Sequence, residues 1–303
     1  MAKFGIDVSK WQGPSFDFAR AKKEDKVEFV ILRGAYSCPN VKNNGGKDSQ
    51  FENYYKKCKS LSLPVGIYQY SMATTVEQAK AEAEFLYTNV LKGKQFELPI
   101  YIDVEDKVQL ALPKRLLTDI VKTWCNYLES KKYFVGIYSG KYIFRDNMDD
   151  AQLKRYTHWL AMWSKTCTYE DKSVLGMWQF GGERNPIRST QIAGQIVDQN
   201  YMYVDFPSII KKEKLNGFGT STVVSTPKPV QKPAPVEPKF SKGTKIKLTN
   251  DAKYSNGKLV PPWVKKCTLY VRSDEFSNGD YNVSLLKIGA ITGRVNKKYL
   301  KKV

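Results

Sequence analysis

The sequence predicts an α/β fold, an irregular (β/α) barrel with eight strands and fewer helices, followed by a small all-β domain. Eight short apolar runs rich in β-branched and aromatic residues recur through the first two thirds of the chain. Segments with helical periodicity separate the first five runs, and strands that alternate with helices favour a parallel sheet closed into a barrel. A proline-rich stretch then divides the chain, with the barrel assigned to residues 1–215 and the small domain to residues 241–303.

The elements of the barrel follow from the local pattern. The candidate strands are, in chain order, FGIDV, FVILRGA, PVGIYQY, LPIYIDV, FVGIYS, HWLAM, GMWQF and QIVD. Helical periodicity predicts helices over residues 48–61, 77–91 and 113–131. The connections between the last three strands are richer in Gly, Lys and Asp, so we expect the final helices of the barrel to be missing or degenerate.

Composition changes sharply over residues 220–239, which are rich in proline and have no amphipathic period. This stretch predicts a semi-rigid linker in polyproline II form, and we assign the linker to residues 216–240. The chain carries a net charge of +19, and residues 241–303 hold 14 Lys+Arg against 4 Asp+Glu. Such a basic domain is expected to attract polyanions such as nucleic acid, anionic lipid or the teichoic acids of Gram-positive walls.

Several classes of function are disfavoured by what the sequence lacks. The opening MAKFGIDVSKWQG has no signal-peptide pattern and no apolar run approaches a membrane span, which predicts synthesis in the cytoplasm and release by another route. Five cysteines without CxxC spacing indicate neither a disulfide framework nor a zinc site, so we expect no metal or cofactor. The one histidine, His158, lies in an apolar run, where hydrogen-bonded packing is the expected role.

The run LPIYIDVEDK presents two carboxylates at the end of a strand. Asp103 and Glu105 are two residues apart, so both leave the sheet on the same side, about 7 Å from each other. Burying two anions in a packed interior would cost several kcal/mol each, which predicts that they lie in a cleft at the open rim. A protonated acid beside an ionised partner is what cleavage of a glycosidic bond requires. A strand that runs into an ordinary polar loop would give the same short motif.

Two further strands also end in a carboxylate. Asp7 ends the first candidate strand and Asp198 ends the last. The first and eighth strands of a closed barrel are neighbours, so Asp7 and Asp198 should meet at the rim and face Glu105 across the mouth. The sequence therefore predicts one acidic pocket formed by three strand ends.

Over about residues 1–206 the chain resembles glycoside hydrolase family 25, the Chalaropsis-type lysozymes used by many phage endolysins. The resemblance is carried, in order, by FGIDVSKWQG, VILRGAYS, LPIYIDVED, VGIYSG, HWLAMW, MWQFGG and GQIVDQN. It implies hydrolysis of the β-1,4 bond between N-acetylmuramic acid and N-acetylglucosamine in peptidoglycan. Glu105 would be the general acid/base, with Asp103, Asp7 and Asp198 as supporting carboxylates. Asp103 or Asp198 would stabilise the transition state or orient the 2-acetamido group, and attack by a carboxylate or by that group stays open.

The resemblance also implies a substrate-binding lining of aromatic and polar side chains. Its residues are Arg33, Tyr68, Tyr70, Tyr138, Trp163, Trp178 and Gln179. Strand alternation directs Tyr68, Tyr70 and Trp178 toward the barrel axis, where each would stack on a sugar or pack in the core. The sequence departs from the family in having Gln69 where many relatives have His and a longer, more polar region after MWQFGG.

The C-terminal segment resembles the bacterial SH3-like domains appended to endolysins, in KYSNGKLVPPWVKKCTLYV and GRVNKKYL. The resemblance implies contacts to Gram-positive cell-wall polymers through Tyr254, Trp263 and Tyr270, although Trp263 would also fill the core of so small a domain. The partners expected for the whole chain are thus the peptidoglycan glycan strand and wall polymers, with no nucleic acid and no membrane span.

Four interpretations follow from these residues. The first is a phage endolysin that reaches the wall through a holin, and the second is a bacterial autolysin of the same activity. The third is a family 18 chitinase, which normally has an aspartate two residues before the D-x-E motif, where this sequence has Tyr101. The fourth is a basic wall- or nucleic-acid-binding protein without catalysis, which the survival of four carboxylates and the lack of a basic recognition helix disfavour.

Overall fold

The computed structural model describes residues 2–219, 240–276, 279–287 and 291–303. The chain divides into two compact units, Met1–Val223 and Val224–Val303. The polyproline II structure predicted for residues 220–239 lies outside the described residues. Each unit has a hydrophobic core of its own.

The first unit is a closed eight-stranded barrel. The strands of this unit are β1 (Lys3–Val8), β2 (Phe29–Tyr36), β3 (Gly46–Lys47), β4 (Val65–Tyr70), β5 (Ile100–Asp103), β6 (Val135–Gly140), β7 (Thr157–Ala161), β8 (Leu175–Gly181), β9 (Gln191–Ile192), β10 (Gln195–Ile196) and β11 (Asp198–Met202). The short strand β3 pairs with the end of β2, and β9 and β10 form a short hairpin outside the barrel. The strands β1, β2, β4, β5, β6, β7 and β8 run parallel in this order, and β11 closes the barrel between β8 and β1. The predicted eight-stranded barrel is confirmed.

Helices cover the outside of the first part of the barrel. They are α1 (Phe18–Lys23), α2 (Phe51–Ser60), α3 (Val76–Leu86), α4 (Lys107–Leu110), α5 (Lys114–Ser130), α6 (Lys141–Asp146), α7 (Asp150–Leu153) and α8 (Phe206–Lys212). The three predicted helices are confirmed as α2, α3 and α5. Between β7 and β8, where every residue is described, no helix forms, as the weak helical pattern there predicts. None of the helices in the described ranges combines the length and apolarity needed to span a bilayer.

Strand alternation separates two cores in the first unit. Outward side chains such as Ile6, Val30 and Ile67 pack under the helices in the main core. Inward side chains form the inner cluster, which consists of Phe29, Ile31, Leu98, Tyr101, Tyr138, Trp159, Met177, Met202, Phe206 and Ile210. Because Phe206 and Ile210 come from α8, this helix closes the end of the barrel at which the parallel strands begin.

The last strand of the barrel differs from the prediction in position and direction. β11 is antiparallel to both of its neighbours, and Asp198 begins it instead of ending it. The first two residues of the QIVD run, Gln195 and Ile196, form β10, which pairs with β9 in a short hairpin. The connection after β8 contains no crossover helix, and a chain that returns without one pairs antiparallel. An antiparallel strand starts at the rim where the parallel strands end, so Asp198 still lies opposite Asp7.

Residues just after α8 complete the closed end of the barrel. Asn216 is fully buried, and its side chain accepts a hydrogen bond from the Phe134 N–H at 2.7 Å and donates to the Leu98 carbonyl at 2.8 Å. Phe218 packs against the inner cluster. The linker assigned from residue 216 therefore overlaps residues that belong to the barrel, because a buried asparagine satisfies backbone groups there.

The second unit is a small antiparallel β structure. Its elements are β12 (Lys245–Leu248), α9 (Pro262–Lys266), β13 (Leu269–Val271), β14 (Asp280–Ser284), β15 (Gly293–Asn296) and β16 (Leu300–Lys302). The five strands pair in the order β15-β14-β13-β12-β16. Alternate side chains such as Ile246, Tyr281 and Val295 form its core. The short strands predicted by the turn-rich sequence are confirmed in the described residues.

Candidate active site

A pocket of about 270 Å³ opens at the rim where the parallel strands end and β11 begins. The four carboxylates predicted from the sequence all line it: Asp7, Asp103, Glu105 and Asp198. So do five of the seven residues predicted to bind substrate: Arg33, Tyr68, Tyr70, Tyr138 and Gln179. The barrel topology thus brings together residues that are as much as 191 positions apart in the chain, Asp7 and Asp198.

Asp7 is held at the end of β1 by two side-chain amides. Its Oδ2 accepts hydrogen bonds from Gln179 Nε2 at 3.1 Å and from Asn200 Nδ2 at 2.8 Å. Burial raises the pKa of Asp7 to about 6, and the two amide donors oppose that rise. With a pKa of about 6, Asp7 is mainly ionised at neutral pH, and the two amides fix the orientation of its carboxylate.

Asp103, the last residue of β5, is almost fully buried. Its Oδ1 has no hydrogen-bond partner among the described residues. Burial raises the pKa of Asp103 well above its ordinary value, the charges of Glu105 and Asp7 raise it further, and Arg33 opposes the rise. Asp103 therefore keeps its proton to a higher pH than a free aspartate does, and in its protonated form the carboxyl can donate a hydrogen bond into the pocket.

Asp198 and Glu105 also bind protons more tightly than free carboxylates do. Burial, followed by the charges of Asp7 and Glu105, raises the pKa of Asp198 to about 8. Glu105 lies at the mouth, where part of its surface stays exposed. Desolvation of its carboxyl by the surrounding protein, followed by the charges of Asp7 and Asp106, raises its pKa. A protonated Glu105 at the mouth is able to give its proton to a group that enters the pocket.

Gln179 connects one side of the pocket to its acids. Its Oε1 accepts hydrogen bonds from Tyr138 Oη at 3.0 Å and from Trp163 Nε1 at 3.2 Å, while its Nε2 donates to Asp7. Trp163 is 43% exposed and lies outside the lining of the pocket, beside Gly182 at the rim. The hydrogen bonds of Gln179 therefore set the orientation of two aromatic side chains and one acid.

The sequence profile of glycosyl hydrolases family 25 matches residues 6–186, more than half of the chain. The matched range includes Asp7, Asp103 and Glu105. The chain belongs to glycosyl hydrolases family 25. This membership confirms the resemblance described from the sequence and excludes the family 18 interpretation.

Three known proteins are similar to between 57% and 99% of the chain. An autolytic lysozyme of Clostridium acetobutylicum is 28% identical over 172 residues, which are 57% of this chain and 48% of that protein. The chain thus matches about half the length of that relative. Among solved structures, the modular autolysin LytC from Streptococcus pneumoniae, in complex with a synthetic peptidoglycan ligand, has a TM-score of 0.56 at 22% identity, covering 67% of this chain and 47% of that chain. The spore cortex lytic enzyme SleM from Clostridium perfringens has a TM-score of 0.56 at 17% identity, covering 99% of this chain and 86% of that chain. These structures share the fold.

Trp178, like Trp163, is a predicted lining residue that the family 25 barrel places outside the pocket. Its ring packs against Phe180 at 5.7 Å, and its Nε1 donates to the Met162 carbonyl at 2.7 Å, in the main core. The prediction that it faces the barrel axis is wrong, because neighbouring residues of a strand point to opposite faces and Gln179 faces inward. Trp159 of β7 lines the pocket instead, and its Nε1 donates to Asn200 Oδ1 at 2.7 Å.

The two predicted tyrosines of β4 reach the family 25 pocket from one face of the strand. Tyr68 packs edge-on against Trp159 with ring centroids 6.0 Å apart. Tyr70 stacks on Tyr36 at 5.2 Å, and its hydroxyl donates to Asp106 Oδ2 at 3.0 Å. Both line the pocket, as their two-residue spacing predicts.

Trp11 is a pocket residue that sequence reasoning missed. Its ring is 76% exposed at the rim, on a short 3-10 turn that follows β1. The turn begins with a capping box in which Ser9 Oγ accepts from the backbone and Gln12 Oε1 accepts from the Ser9 N–H at 2.9 Å. The opening D-V-S-x-W-Q contains this S-x-x-Q pattern, so the motif itself could have identified Trp11.

Asp48 was also missed, and it holds Arg33, the cationic side chain among the described residues that line the pocket. Its Oδ2 accepts from Arg33 Nε at 2.7 Å and from the Lys10 N–H at 3.1 Å, and its side chain is almost fully buried. The pair partly neutralises the charge that Arg33 directs at Asp103. Nothing in the local sequence marks Asp48, since it follows a glycine-rich loop without a strand pattern.

His158 is fully buried outside the pocket, as the sequence predicts. Its Nδ1 lies 2.9 Å from the Tyr169 hydroxyl, and its ring stacks on Phe144 with centroids 4.3 Å apart. Burial lowers the pKa of His158 to about 4. The histidine is therefore a neutral packing residue.

The three aromatic residues predicted to contact the wall lie at separate places in the second unit. Tyr254 lines a cleft of about 510 Å³ together with Lys258 and Arg294. Trp263 is 60% exposed on α9, and Tyr270 is half-buried on β13. Among the described residues the cleft includes Tyr254 but neither Trp263 nor Tyr270.

Proposed function

We propose that this family 25 protein is an N-acetylmuramidase, which hydrolyses the β-1,4 bond between N-acetylmuramic acid and N-acetylglucosamine in peptidoglycan. One observation carries the proposal: Glu105, whose pKa is raised by desolvation, lines the mouth of the same pocket as Asp7, which two side-chain amides hold in place. An acid and an anion on opposite sides of a sugar are the two groups that glycosidic cleavage needs. The aromatic lining supplies flat surfaces for sugar rings.

The reaction follows from these proton affinities. Glu105 gives its proton to the glycosidic oxygen, the bond from that oxygen to C1 breaks, and Asp7 stabilises the positive charge that develops at C1. Protonated Asp103 and Asp198 donate hydrogen bonds that orient the 2-acetamido group. Water then adds to C1 and returns one proton to Glu105. Whether the acetamido oxygen or a carboxylate bonds to C1 between these steps is decided by trapping the intermediate.

The proposal is tested on purified Gram-positive peptidoglycan. New reducing ends and new free amines are measured separately for the wild type, Glu105→Gln and the control Glu84→Gln, whose residue is exposed on α3. We expect reducing ends from the wild type and the control, and a loss of about 10²–10⁴ in kcat for Glu105→Gln. Free amines as the main product, or equal activity of wild type and Glu105→Gln, would contradict the proposal.

The sugar at the new reducing end identifies the bond. After reduction with borohydride and acid hydrolysis, a muramidase yields muramicitol, whereas a glucosaminidase yields glucosaminitol. We expect muramicitol alone.

We also propose that the second unit is an SH3-like module that binds polymers of the Gram-positive wall. Its short antiparallel strands, its excess of basic residues and the cleft beside Tyr254, Lys258 and Arg294 support this role.

Full-length protein, Tyr254→Ala and a chain ending at residue 219 are compared in cell sedimentation at low and high salt. We expect the shortened chain to cleave soluble glycan as before but to bind cells less, and binding by the full chain to weaken as salt screens the charge. Unchanged cell binding after truncation would refute the role.

The biological setting that we propose is lysis of a bacterial host by a phage endolysin, with a bacterial autolysin as the second candidate. The autolytic relative favours the second setting, and the basic appended unit is compatible with both. Expression inside a Gram-positive host, with and without a membrane pore such as a holin, separates the two. Lysis only when the pore is present supports the endolysin. Lysis without the pore supports the autolysin, because the protein would then reach the wall by the cell's own export.

A further inference from the structure

A second polar cluster lies behind the rim, between α3 and the ends of β2 and β4. At its centre is Glu82, which is fully buried. Its Oε1 accepts hydrogen bonds from Ser37 Oγ at 2.6 Å and from the Met72 N–H at 3.0 Å, and its Oε2 accepts from Ser71 Oγ at 2.6 Å. All three partners are neutral donors, so Glu82 is stabilised by hydrogen bonds and not by these groups as an ion pair.

The partners of Glu82 bond directly to the backbone of two pocket residues. The Ser37 N–H donates to the Tyr70 carbonyl at 2.7 Å, and the Ser71 N–H donates to the Asp103 carbonyl at 3.0 Å. Ser37 has a φ of 48°, a left-handed conformation that residues other than glycine adopt at a cost. The bond to Glu82 therefore helps to hold Ser37 where it can fix Tyr70.

A third connection runs to the segment that carries Glu105. Gln109 of α4 donates from Nε2 to Ser71 Oγ at 2.9 Å and to the Ala73 carbonyl at 3.0 Å. The helix α4 is capped by Asp106, the residue after Glu105. The position of Glu105 along the rim therefore depends on Ser71, which Glu82 holds.

Gln69, the departure from the family pattern, completes the cluster. Its Nε2 donates to the carbonyls of Ser37 at 3.0 Å and Glu82 at 3.1 Å, and its Oε1 accepts from Trp124 Nε1 at 2.8 Å. This amide connects β4 to α3 and α5 in one hydrogen-bonded unit. The cluster is thus anchored in the helical layer as well as in the strands.

We propose that Glu82 is a positioning residue that ties the ends of β2, β4 and α4 together and thereby keeps Tyr70, Asp103 and Glu105 in place. It acts through other residues, since its buried carboxyl does not reach the pocket. Burying the carboxyl of Glu82 costs desolvation free energy. An apolar residue at this position would pack as well without that cost, which argues that the carboxyl has a role beyond packing. The inference rests on the proposed acid role of Glu105.

The test compares wild type, Glu82→Gln and the exposed control Glu84→Gln. The pKa of Glu105 is measured from the ¹³C resonance of its carboxyl, assigned with Glu105→Gln, and kcat and KM are measured across pH on peptidoglycan. Glutamine preserves the shape of Glu82 but loses part of its acceptor capacity, so the rim should relax toward solvent. We expect the Glu105 pKa and the alkaline limb of kcat to move to lower pH, and kcat to fall by roughly tenfold with KM little changed.

The pKa of Glu105 depends on every group that faces it, so these groups stay unchanged in the comparison. They are Asp7, Asp103, Asp106, Asp198, Tyr70 and Tyr138. Ser71→Ala removes the connection from Glu82 to α4 and should change the Glu105 titration in the same direction, which keeps the test valid if Glu82→Gln folds poorly.

A Glu105 titration that is the same in all folded variants, with only the melting temperature lowered in Glu82→Gln, would overturn the inference. The carboxyl titration needs no turnover. If the wild type released no reducing ends, the proposed activity would fail, while the titration would still decide the role of Glu82.

Discussion

Burial dominates the chemistry of the four pocket acids. Desolvation is the largest cause of the raised pKa of Asp7, Asp103, Glu105 and Asp198 alike, and their mutual repulsion adds to it. The two amides on Asp7 separate it from the rest by favouring its ionised form. The pocket therefore holds one fixed carboxylate with a pKa of about 6 beside Asp198 with a pKa of about 8, a difference that solvent-exposed aspartates could not maintain.

The position of Asp198 depends on the absence of a side chain at Gly182. A Cβ on Gly182 would lie 1.9 Å from Asp198 Oδ1 and 3.0 Å from the Trp163 ring. We expect Gly182→Ala to displace Asp198 and to lower kcat by about 10-fold or more. The control is Gly140→Ala at the end of β6, where a Cβ meets only Ile143 at 3.6 Å. Equal rates for the two variants in the reducing-end assay would contradict this explanation.

The raised pKa of Asp198 makes stability depend on pH. The group binds its proton more tightly in the folded state, at a pKa of about 8 against 3.8, so the free energy of unfolding should fall as pH rises through this window. The Asp198→Asn side chain cannot ionise. We therefore expect its melting temperature to fall less than that of the wild type between about pH 5 and about pH 8, a range that lies within this window. Calorimetry at both pH values checks this, and parallel curves would show that Asp198 is not responsible.

At the scale of the elements, the short turn after β1 positions Trp11 at the rim of the pocket. The capping box of Ser9 and Gln12 closes the turn on which Trp11 stands. Because β1 ends at Val8, the residue after Asp7, the turn that follows sets the position of Trp11 at the rim relative to the acids. A three-residue turn thereby shapes the entrance for substrate.

Ser9→Ala removes the cap of this turn. We expect a loss of about 1 kcal/mol in unfolding free energy and a higher KM, since Trp11 is no longer held. Ser60→Ala, an exposed serine at the end of α2, is the control for the same change elsewhere. Denaturant unfolding and steady-state kinetics measure both effects. An unchanged KM would mean that Trp11 does not contact substrate.

The sequence predicted those elements whose pattern is local. Periodicity located α5, and two-residue spacing located the face of Tyr68 and Tyr70. Alternation alone does not say which face is inward, so Trp178 was assigned to the wrong one. The direction of β11 depends on how the chain returns after β8, and no local residue encodes that.

The sequence nevertheless indicates that Glu82 needs hydrogen-bond partners from distant parts of the chain. It lies three residues after Ala79 and four before Leu86, on the buried face of α3. A charged residue within an apolar stripe is a buried polar group in need of donors. Its partners Ser37 and Ser71 come from other strand ends, and only the fold brings them to it.

For the molecule as a whole, the boundary of the barrel unit is set by hydrogen bonds. Asn216 also accepts from the Phe96 N–H at 3.2 Å and donates its own N–H to the Lys132 carbonyl at 2.9 Å. These bonds satisfy backbone groups at the closed end of the barrel. The residues just after α8 are therefore part of the folded unit, although the local sequence resembles a loop.

Two truncations test this boundary. A chain ending at residue 219 keeps Asn216 and Phe218, whereas a chain ending at residue 215 leaves their buried partners unpaired. We expect the shorter chain to lose several kcal/mol of stability, since each unpaired buried group costs about 1–3 kcal/mol. Thermal melts of the two chains measure the difference, and identical melting temperatures would contradict it.

The direction of β11 also has a consequence for protein engineering. Because β11 starts at the rim and leads away from it, the first unit ends at the closed end of the barrel, where Phe206 packs against Phe134 at 5.6 Å. A peptide joined after residue 219 would thus leave from the side opposite the pocket. Residue 219 is therefore a position at which a tag can be joined to the barrel unit without altering a residue that lines the pocket.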